Sequence, residues 1–247
     1  QLRDVMVPAL DAEPVRLEQH LGVRVAVRRL EAVGRQLDQQ AERVLEVALV
    51  DRRLVAAAVA GDVLLLHGLD QLEAFDAIYF GAVGWPTVPD HVSLWGLRLK
   101  ICQNFDQWAN VRPVEFLPGI QSPLRKADST DLSWVVVREN SEGEYAGFGG
   151  RNFAGRDDRG EVAVQSAVFT EVGCERIIRF AFDLARTRPR KKVSSVTKSN
   201  AQQYGMVLWD DVFERVATEY SDVETESVLV DAMSAKFVLR PEDLSVV

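Results

Sequence analysis

Residues 171–197, EVGCERIIRFAFDLARTRPRKKVSSVT, hold the two patterns on which the fold class turns. From Glu171 to Thr187 the apolar residues Ile177, Ile178, Phe180, Ala181 and Leu184 recur at helical spacing, which predicts an amphipathic helix buried along one side. Thr187-Arg188-Pro189-Arg190 ends it, because proline cannot continue the helical hydrogen-bond ladder. Lys192 to Thr197 then reads as a strand. The same alternation repeats on both sides. Downstream, Gln202 to Tyr220 is predicted helical, Ser227 to Val230 a short strand and Asp231 to Leu239 a helix, while Leu244 to Val247 opens another apolar strand. Upstream, Trp134 to Arg138, Ala163 to Phe169 and Phe75 to Gly81 are strand candidates. Strands alternating with helices predict an α/β sheet.

The bulk numbers set limits on function. The chain has 247 residues, a hydrophobic content of 47% and a charged content of 27%, typical of globular proteins. A formal charge of −8 argues against nonspecific binding to nucleic acid or to anionic membrane. The longest apolar run, Leu54 to Leu69, is broken by Asp62 and is too short to span a bilayer. Cys102 and Cys174 are the two cysteines, so a disulfide framework is not expected and a reducing cytoplasm fits. No secretory signal opens the chain, and a first residue Gln1 suggests a fragment or a processed product.

Composition shifts near residue 75. Residues 1–74 use eleven amino-acid types and lack Ser, Thr, Asn, Lys, Ile, Phe, Tyr, Trp and Cys, whereas all twenty types occur from Phe75 onward. Leu30, Val33, Leu37, Ala41, Val44 and Leu45 follow helical spacing, and Val55 to Leu66 fits either a strand or a helix. The stretch is expected either to be an ordinary amphipathic segment or to be foreign to the rest of the chain.

Polar residues at the predicted element ends carry the chemistry. Arg112, before Pro113, is expected at a helix-to-strand junction, where its guanidinium fork could hold a carboxylate. Arg138 and Tyr145 flank the polar turn from Glu139 to Glu144, directly after a strand, and ligands of α/β sheets bind at such strand ends. A phenol beside an arginine could act as an acid. Lys198, in the turn Thr197-Lys198-Ser199-Asn200, could serve as a general base. Asp231 opens a helix after a strand, as an N-cap or as a ligand to Mg2+ or Mn2+. Each of these residues also has an ordinary role, as a surface arginine, a packing tyrosine, a turn lysine or a cap. No Ser-His-Asp arrangement, Walker loop or paired CxxC is evident, and Gly147, Gly149 and Gly150 form a loose cluster rather than a dinucleotide fingerprint.

Taken together, Phe75 to Gly84, Phe105 to Pro113, Val137 to Tyr145, Thr197 to Asn200 and Asp231-Ala232-Met233 resemble the isocitrate/isopropylmalate dehydrogenase family in order and spacing. Val88 to Gly96 and Phe105-Asp106-Gln107-Trp108 resemble its tartrate and D-malate dehydrogenase (decarboxylating) branch. The resemblance runs from about Leu69 to Val247. It implies an isopropylmalate dehydrogenase-like fold, with residues 75–111 as part of a cofactor-side domain and 112–247 as a truncated substrate and dimerisation domain. It further implies oxidation of a 2-hydroxy dicarboxylate by NAD, assisted by Mg2+ or Mn2+, in a homodimer. Arg112 and Arg138 would bind substrate carboxylates, and Tyr145 would protonate the enolate. Lys198, supplied by a partner subunit, would help remove the hydroxyl proton, and Asp231 would ligate the metal across the interface. Tyr145 to Val168 would be an arm that clasps the partner.

The chain also departs from the family pattern. Residues 1–74 lack the family's opening strand and Gly-rich acidic loop. Cys102 stands where a further substrate arginine is expected, and the segments with the other metal carboxylates and the adenine loop would follow Val247. No cofactor-binding residue is assigned. The expectation is therefore a chain that is inactive alone, the alternatives being a noncatalytic dimerisation fragment or a pseudogene product.

Overall fold

Helices and strands alternate in the computed structural model, which describes residues 68–70, 72–80, 86, 88–116, 119, 122, 124, 132–156 and 160–247, with the backbone of 26–30 and 45–50. The chain divides into two compact units, Gln1–Asn104 and Phe105–Val247.

In the first unit, β1 (Ala26–Leu30), β2 (Leu45–Val50) and β3 (Ala77–Phe80) form a sheet in that order. β1 is antiparallel to β2, and β2 is parallel to β3. Leu30 pairs with Leu45 across the first ladder. The helical spacing read from Leu30 to Leu45 therefore fails at both ends, since short apolar runs fit either period. The interior of that stretch lies outside the described residues, as do 55–66 and Gly81. Because β2 pairs with β3, the compositional change near residue 75 falls inside one sheet. A helical run follows, made of α1 (Asp90–Ser93), a π-helical turn (Leu94–Arg98) and α2 (Leu99–Asn104), with Leu97, Leu99 and Ile101 buried. Cys102 lies half-buried on α2.

The second unit is built on one sheet. β4 (Ala109–Glu115) runs antiparallel to β5 (Ser133–Glu139), and β8 (Lys192–Thr197) runs parallel to β9 (Glu224–Leu229). The end of the chain joins the two pairs. Val135 N donates to Ser245 O at 2.8 Å, Val137 N to Val247 O at 2.7 Å, and Ser194 N to Val246 O at 2.8 Å. Residues 245–247 thus lie parallel between β5 and β8. The order is β4, β5, 245–247, β8, β9, with β4 the antiparallel edge.

Two helices cover this sheet. α3 (Glu171–Arg186) and α4 (Gly205–Ala217) bring Ile177, Ile178, Phe182, Phe213 and Val216 into a shared core with Val193 and Val246. Phe182 stacks between Phe213 and Tyr220, at 5.5 and 4.7 Å between ring centres. The helical period read over 171–187 matches α3 to within a residue at its end. α5 (Val230–Leu239) follows β9 directly. Between β5 and α3, β6 (Gly143–Asn152) and β7 (Val162–Val168) form an antiparallel hairpin that exposes Phe148, Phe153, Val162 and Val164. A Cβ at Gly149 would run into the backbone carbonyl of Val164. The missing side chain at Gly149 lets the two backbones approach closely.

Candidate functional site

β4 and β5 bring two arginines onto one face of the sheet. Asn110 lies directly opposite Arg138, and Arg112 lies two residues further along β4. Side chains alternate along a strand, so Asn110, Arg112 and Arg138 all point the same way. Arg112 is therefore exposed in the middle of an edge strand and not at the helix-to-strand junction expected from Pro113; an edge strand tolerates a proline because its missing N–H can face solvent.

A chain of hydrogen bonds joins the arginines. Arg112 Nε donates to Asn110 Oδ1 at 2.9 Å, and Asn110 Nδ2 donates to Asn140 Oδ1 at 3.4 Å. Arg138 Nη2 donates to the same Asn140 oxygen at 2.9 Å. Asn140 is 2% exposed and is held by its own Nδ2, which donates to Gln107 O at 3.1 Å. Arg138 Nη1 donates to the Tyr145 hydroxyl at 3.2 Å, and the guanidinium sits 4.9 Å over the Tyr145 ring. Sequence reasoning assigned no role to Asn110 or Asn140. The signal was there, since Asn110-Val111-Arg112 and Arg138-Glu139-Asn140 each space an amide two residues from an arginine, which is the same face of a strand.

The turn between Arg138 and Tyr145 is tied down from below. Glu139 Oε1 accepts from Ser141 N at 2.8 Å and from Ser141 Oγ at 2.6 Å, and it meets Arg176 of α3 at 3.4 Å. Glu142 accepts from Thr170 N at 2.9 Å and from Thr170 Oγ1 at 2.6 Å. Thr170 in turn caps α3 by accepting from Gly173 N. A Cβ at Gly173 would overlap the Glu142 carboxylate, so only glycine leaves room for this tether. A cavity of about 450 Å3 is lined by Arg138, Glu142 and Tyr145 together with the apolar Phe169, Ile177 and Trp209. Cys174 also lines it; burial, then the neighbouring Glu142 and Glu139 charges, push its thiol up to about 11.

Lys198 and Asp231 form a second cluster. Lys198 follows β8, Asp231 lies in the first turn of α5 after β9, and Lys198 Nζ donates to Asp231 Oδ2. This bond, reinforced by the lysine charge, holds the Asp231 carboxyl below the usual range. Asp231 does not act as the helix N-cap: Leu229 occupies that position, and the carboxylate turns to the lysine instead. α5 is fixed from within by Lys236 Nζ, which donates to Glu226 at 2.5 and 2.7 Å, while Ser194 Oγ donates to Glu226 Oε1 at 2.5 Å. Arg138 and Asp231 both stand at the carboxyl edge of the parallel strands. Three inter-strand steps separate their strands, or about 14 Å laterally.

Among the described residues, no group of three or more His, Cys, Asp or Glu side chains could hold a metal ion. Asp231 brings one carboxylate, already engaged by Lys198, where Mg2+ demands octahedral oxygen ligation. The donor set among the described residues does not by itself fit such a cation.

Comparison with known proteins gives a consistent match. The family model described as isocitrate/isopropylmalate dehydrogenase matches residues 26–247. The match takes in residues 26–68, which the motifs left outside the resemblance. "Probable tartrate dehydrogenase/decarboxylase" of Agrobacterium vitis is 57% identical over 187 residues, which is 76% of this chain and 52% of the relative. D-malate dehydrogenase (decarboxylating) of Escherichia coli strain K12 is 49% identical over 179 residues, 72% of this chain and 49% of the relative. The chain thus spans about half the length of these relatives. The crystal structure of isocitrate dehydrogenase from Methylococcus capsulatus superposes with a TM-score of 0.61 at 29% identity, covering 79% of this chain and 60% of that one.

Proposed function

The chain belongs to the isocitrate/isopropylmalate dehydrogenase family, and on that premise we propose that it carries the substrate-binding side of an NAD-dependent dehydrogenase for a 2-hydroxy dicarboxylate such as tartrate or D-malate. The observation that carries this reading is the pair of guanidiniums on one strand face, one of them stacked on a phenol. Two forks on one strand face, linked through Asn110 and Asn140, suit two carboxylates of one small molecule. Arg112 and Arg138 bind and orient the dicarboxylate. Tyr145, hydrogen-bonded to Arg138, delivers a proton to the carbon that loses CO2, a role its phenol beside the guanidinium supports. Lys198 in its neutral amine form accepts the hydroxyl proton, and Asp231 then holds the ammonium that results. NAD, when bound, supplies the hydride acceptor.

A separation of about 14 Å between strands makes it hard for Arg138 and Asp231 of one chain to meet the same four-carbon molecule. This supports a homodimer in which Lys198 and Asp231 of one copy complete the site around Arg112, Arg138 and Tyr145 of the other. Because Asp231 brings a single carboxylate to Mg2+ or Mn2+, we propose that this chain binds the dicarboxylate yet turns it over slowly or not at all. No helix among the described residues is long and apolar enough to cross a membrane, and the two free cysteines favour a reducing cytoplasm.

Calorimetric titration of D-malate and of tartrate into the chain tests the proposal. Binding that weakens by about 10- to 100-fold in Arg138→Ala supports it; unchanged binding refutes it. A second reading, a noncatalytic dimerisation module, is favoured by the exposed Phe148, Phe153, Val162 and Val164 of the hairpin. It would be sustained by a stable dimer that binds neither acid.

A further inference from the structure

We infer that Asn140 is the positioning residue of the dicarboxylate site, a neutral amide that aims both guanidiniums at one ligand while leaving their charge intact. The inference rests on the dicarboxylate reading above and extends it to a residue that would not touch the ligand. Asn140 is buried, and its orientation is fixed by its own bond to Gln107 O and by its backbone N–H, which donates to Trp108 O at 2.8 Å. With Nδ2 committed to a carbonyl, the amide cannot flip, and Oδ1 must face the arginines. That one oxygen accepts from Arg138 directly and from Asn110, which in turn accepts from Arg112. Asn140 thus sets one fork directly and the other through Asn110, so the two are linked rather than independent.

The choice of an amide matters chemically. Two arginines with a structural role are each met by a carboxylate: Arg179 is bound by Glu219 at 2.8 Å and Arg186 by Asp222 at 2.7 Å. Such a pair has little charge left for an anion. A carboxamide at 140 supplies the same acceptor geometry without a negative charge, so the field offered to a dianion is not reduced by the residue that does the aiming. A carboxylate at 140 would still accept from Arg138, but it would lose the bond to Gln107 O and repel the ligand.

Two measurements on the 247-residue chain separate positioning from binding. In side-chain NMR of the unliganded protein, Asn140→Ala should make the Arg138 guanidinium, left with Tyr145, more mobile and, through Asn110, that of Arg112 as well, whereas Asn140→Asp should keep Arg138 held. Should Asn140→Ala misfold, Asn110→Ala must loosen Arg112 and leave Arg138 ordered. In calorimetric titration with D-malate, Asn140→Ala should bind about tenfold more weakly than the parent, and Asn140→Asp more weakly still although its arginines stay ordered. Guanidiniums as restrained in Asn140→Ala as in the parent would overturn the inference. So would an Asn140→Asp protein that binds D-malate as the parent does. If the parent itself fails to bind D-malate, the dicarboxylate reading falls, and the NMR result still decides whether Asn140 positions the arginines.

Discussion

Arg138 and Tyr145 are joined twice, by a 3.2 Å hydrogen bond from Nη1 to the phenol oxygen and by a guanidinium lying 4.9 Å over the ring. The stacking needs only the aromatic ring, and the hydrogen bond needs the hydroxyl. Tyr145→Phe should therefore leave D-malate affinity within about threefold of the parent, since a single neutral acceptor is lost. Tyr145→Ala should weaken it further, because the arginine loses its platform. Titration calorimetry of the two variants checks this, and equal losses would mean that the ring does not support Arg138.

Gly173→Ala tests the tether beneath the turn. Alanine raises helix propensity by up to about 1 kcal/mol, but its Cβ evicts the Glu142 carboxylate from its place beside Thr170. Each of the two lost hydrogen bonds costs about 0.5–1.5 kcal/mol, about 1–3 kcal/mol together, so the thermal midpoint should move down only modestly. Affinity for D-malate should nonetheless fall, because the turn carrying Tyr145 is released. A variant with unchanged midpoint and unchanged affinity would show that the tether does not shape the site.

Glu226 confers an acid sensitivity with a definite sign. Burial raises its pKa, but the hydrogen bonds from Lys236 and Ser194 and the charges of Lys192 and Lys236 outweigh burial and hold it below the usual carboxylate range. A depressed folded-state pKa contributes stability that is fully present above the ordinary glutamate value, about 4.3, and is lost as pH falls through the folded value. Glu226→Gln should thus lower the thermal midpoint at neutral pH and converge on the parent in acid. A constant gap across pH would contradict this.

Cys174 and Cys102 should differ in reactivity. Cys174 is 2% exposed, and its thiol is pushed up to about 11, whereas Cys102 is half-buried on α2. Thiolate is the reactive form, so at mildly alkaline pH an alkylating reagent should label Cys102 and reach Cys174 only after denaturant is added. Mass spectrometry of peptides reads this directly; equal labelling rates in the folded protein would refute the buried placement of Cys174.

Much of the fold and half of the site were legible in the chain. The helix over 171–186 and the strand over 192–197 could be read because a long apolar stripe and a proline stop are strong local signals. The segment around Leu30 and Leu45 misled because short Val- and Leu-rich runs satisfy both periods, and pairing between β1 and β2 decides between them. Arg112 was misplaced because Pro113 reads as a boundary unless the strand is known to lie at an edge. Asp231 was read as a cap or a metal ligand, and its pairing with Lys198 could not be read because the lysine is 33 residues away. Arg112, Arg138 and Tyr145 could be named from their motifs; the i, i+2 spacing put Asn110 and Asn140 on the faces of those arginines, but the relay between the two amides exists only once β4 and β5 are in register.

The proposed function stands or falls on two guanidiniums reading two carboxylates of one ligand. Comparing D-malate with D-lactate, which keeps the 2-hydroxy acid and drops one carboxylate, isolates that recognition. The parent chain should bind D-lactate at least about tenfold more weakly than D-malate, and Arg112→Ala should bring D-malate down to the D-lactate level. Equal affinity of the parent chain for the two acids would contradict the proposal.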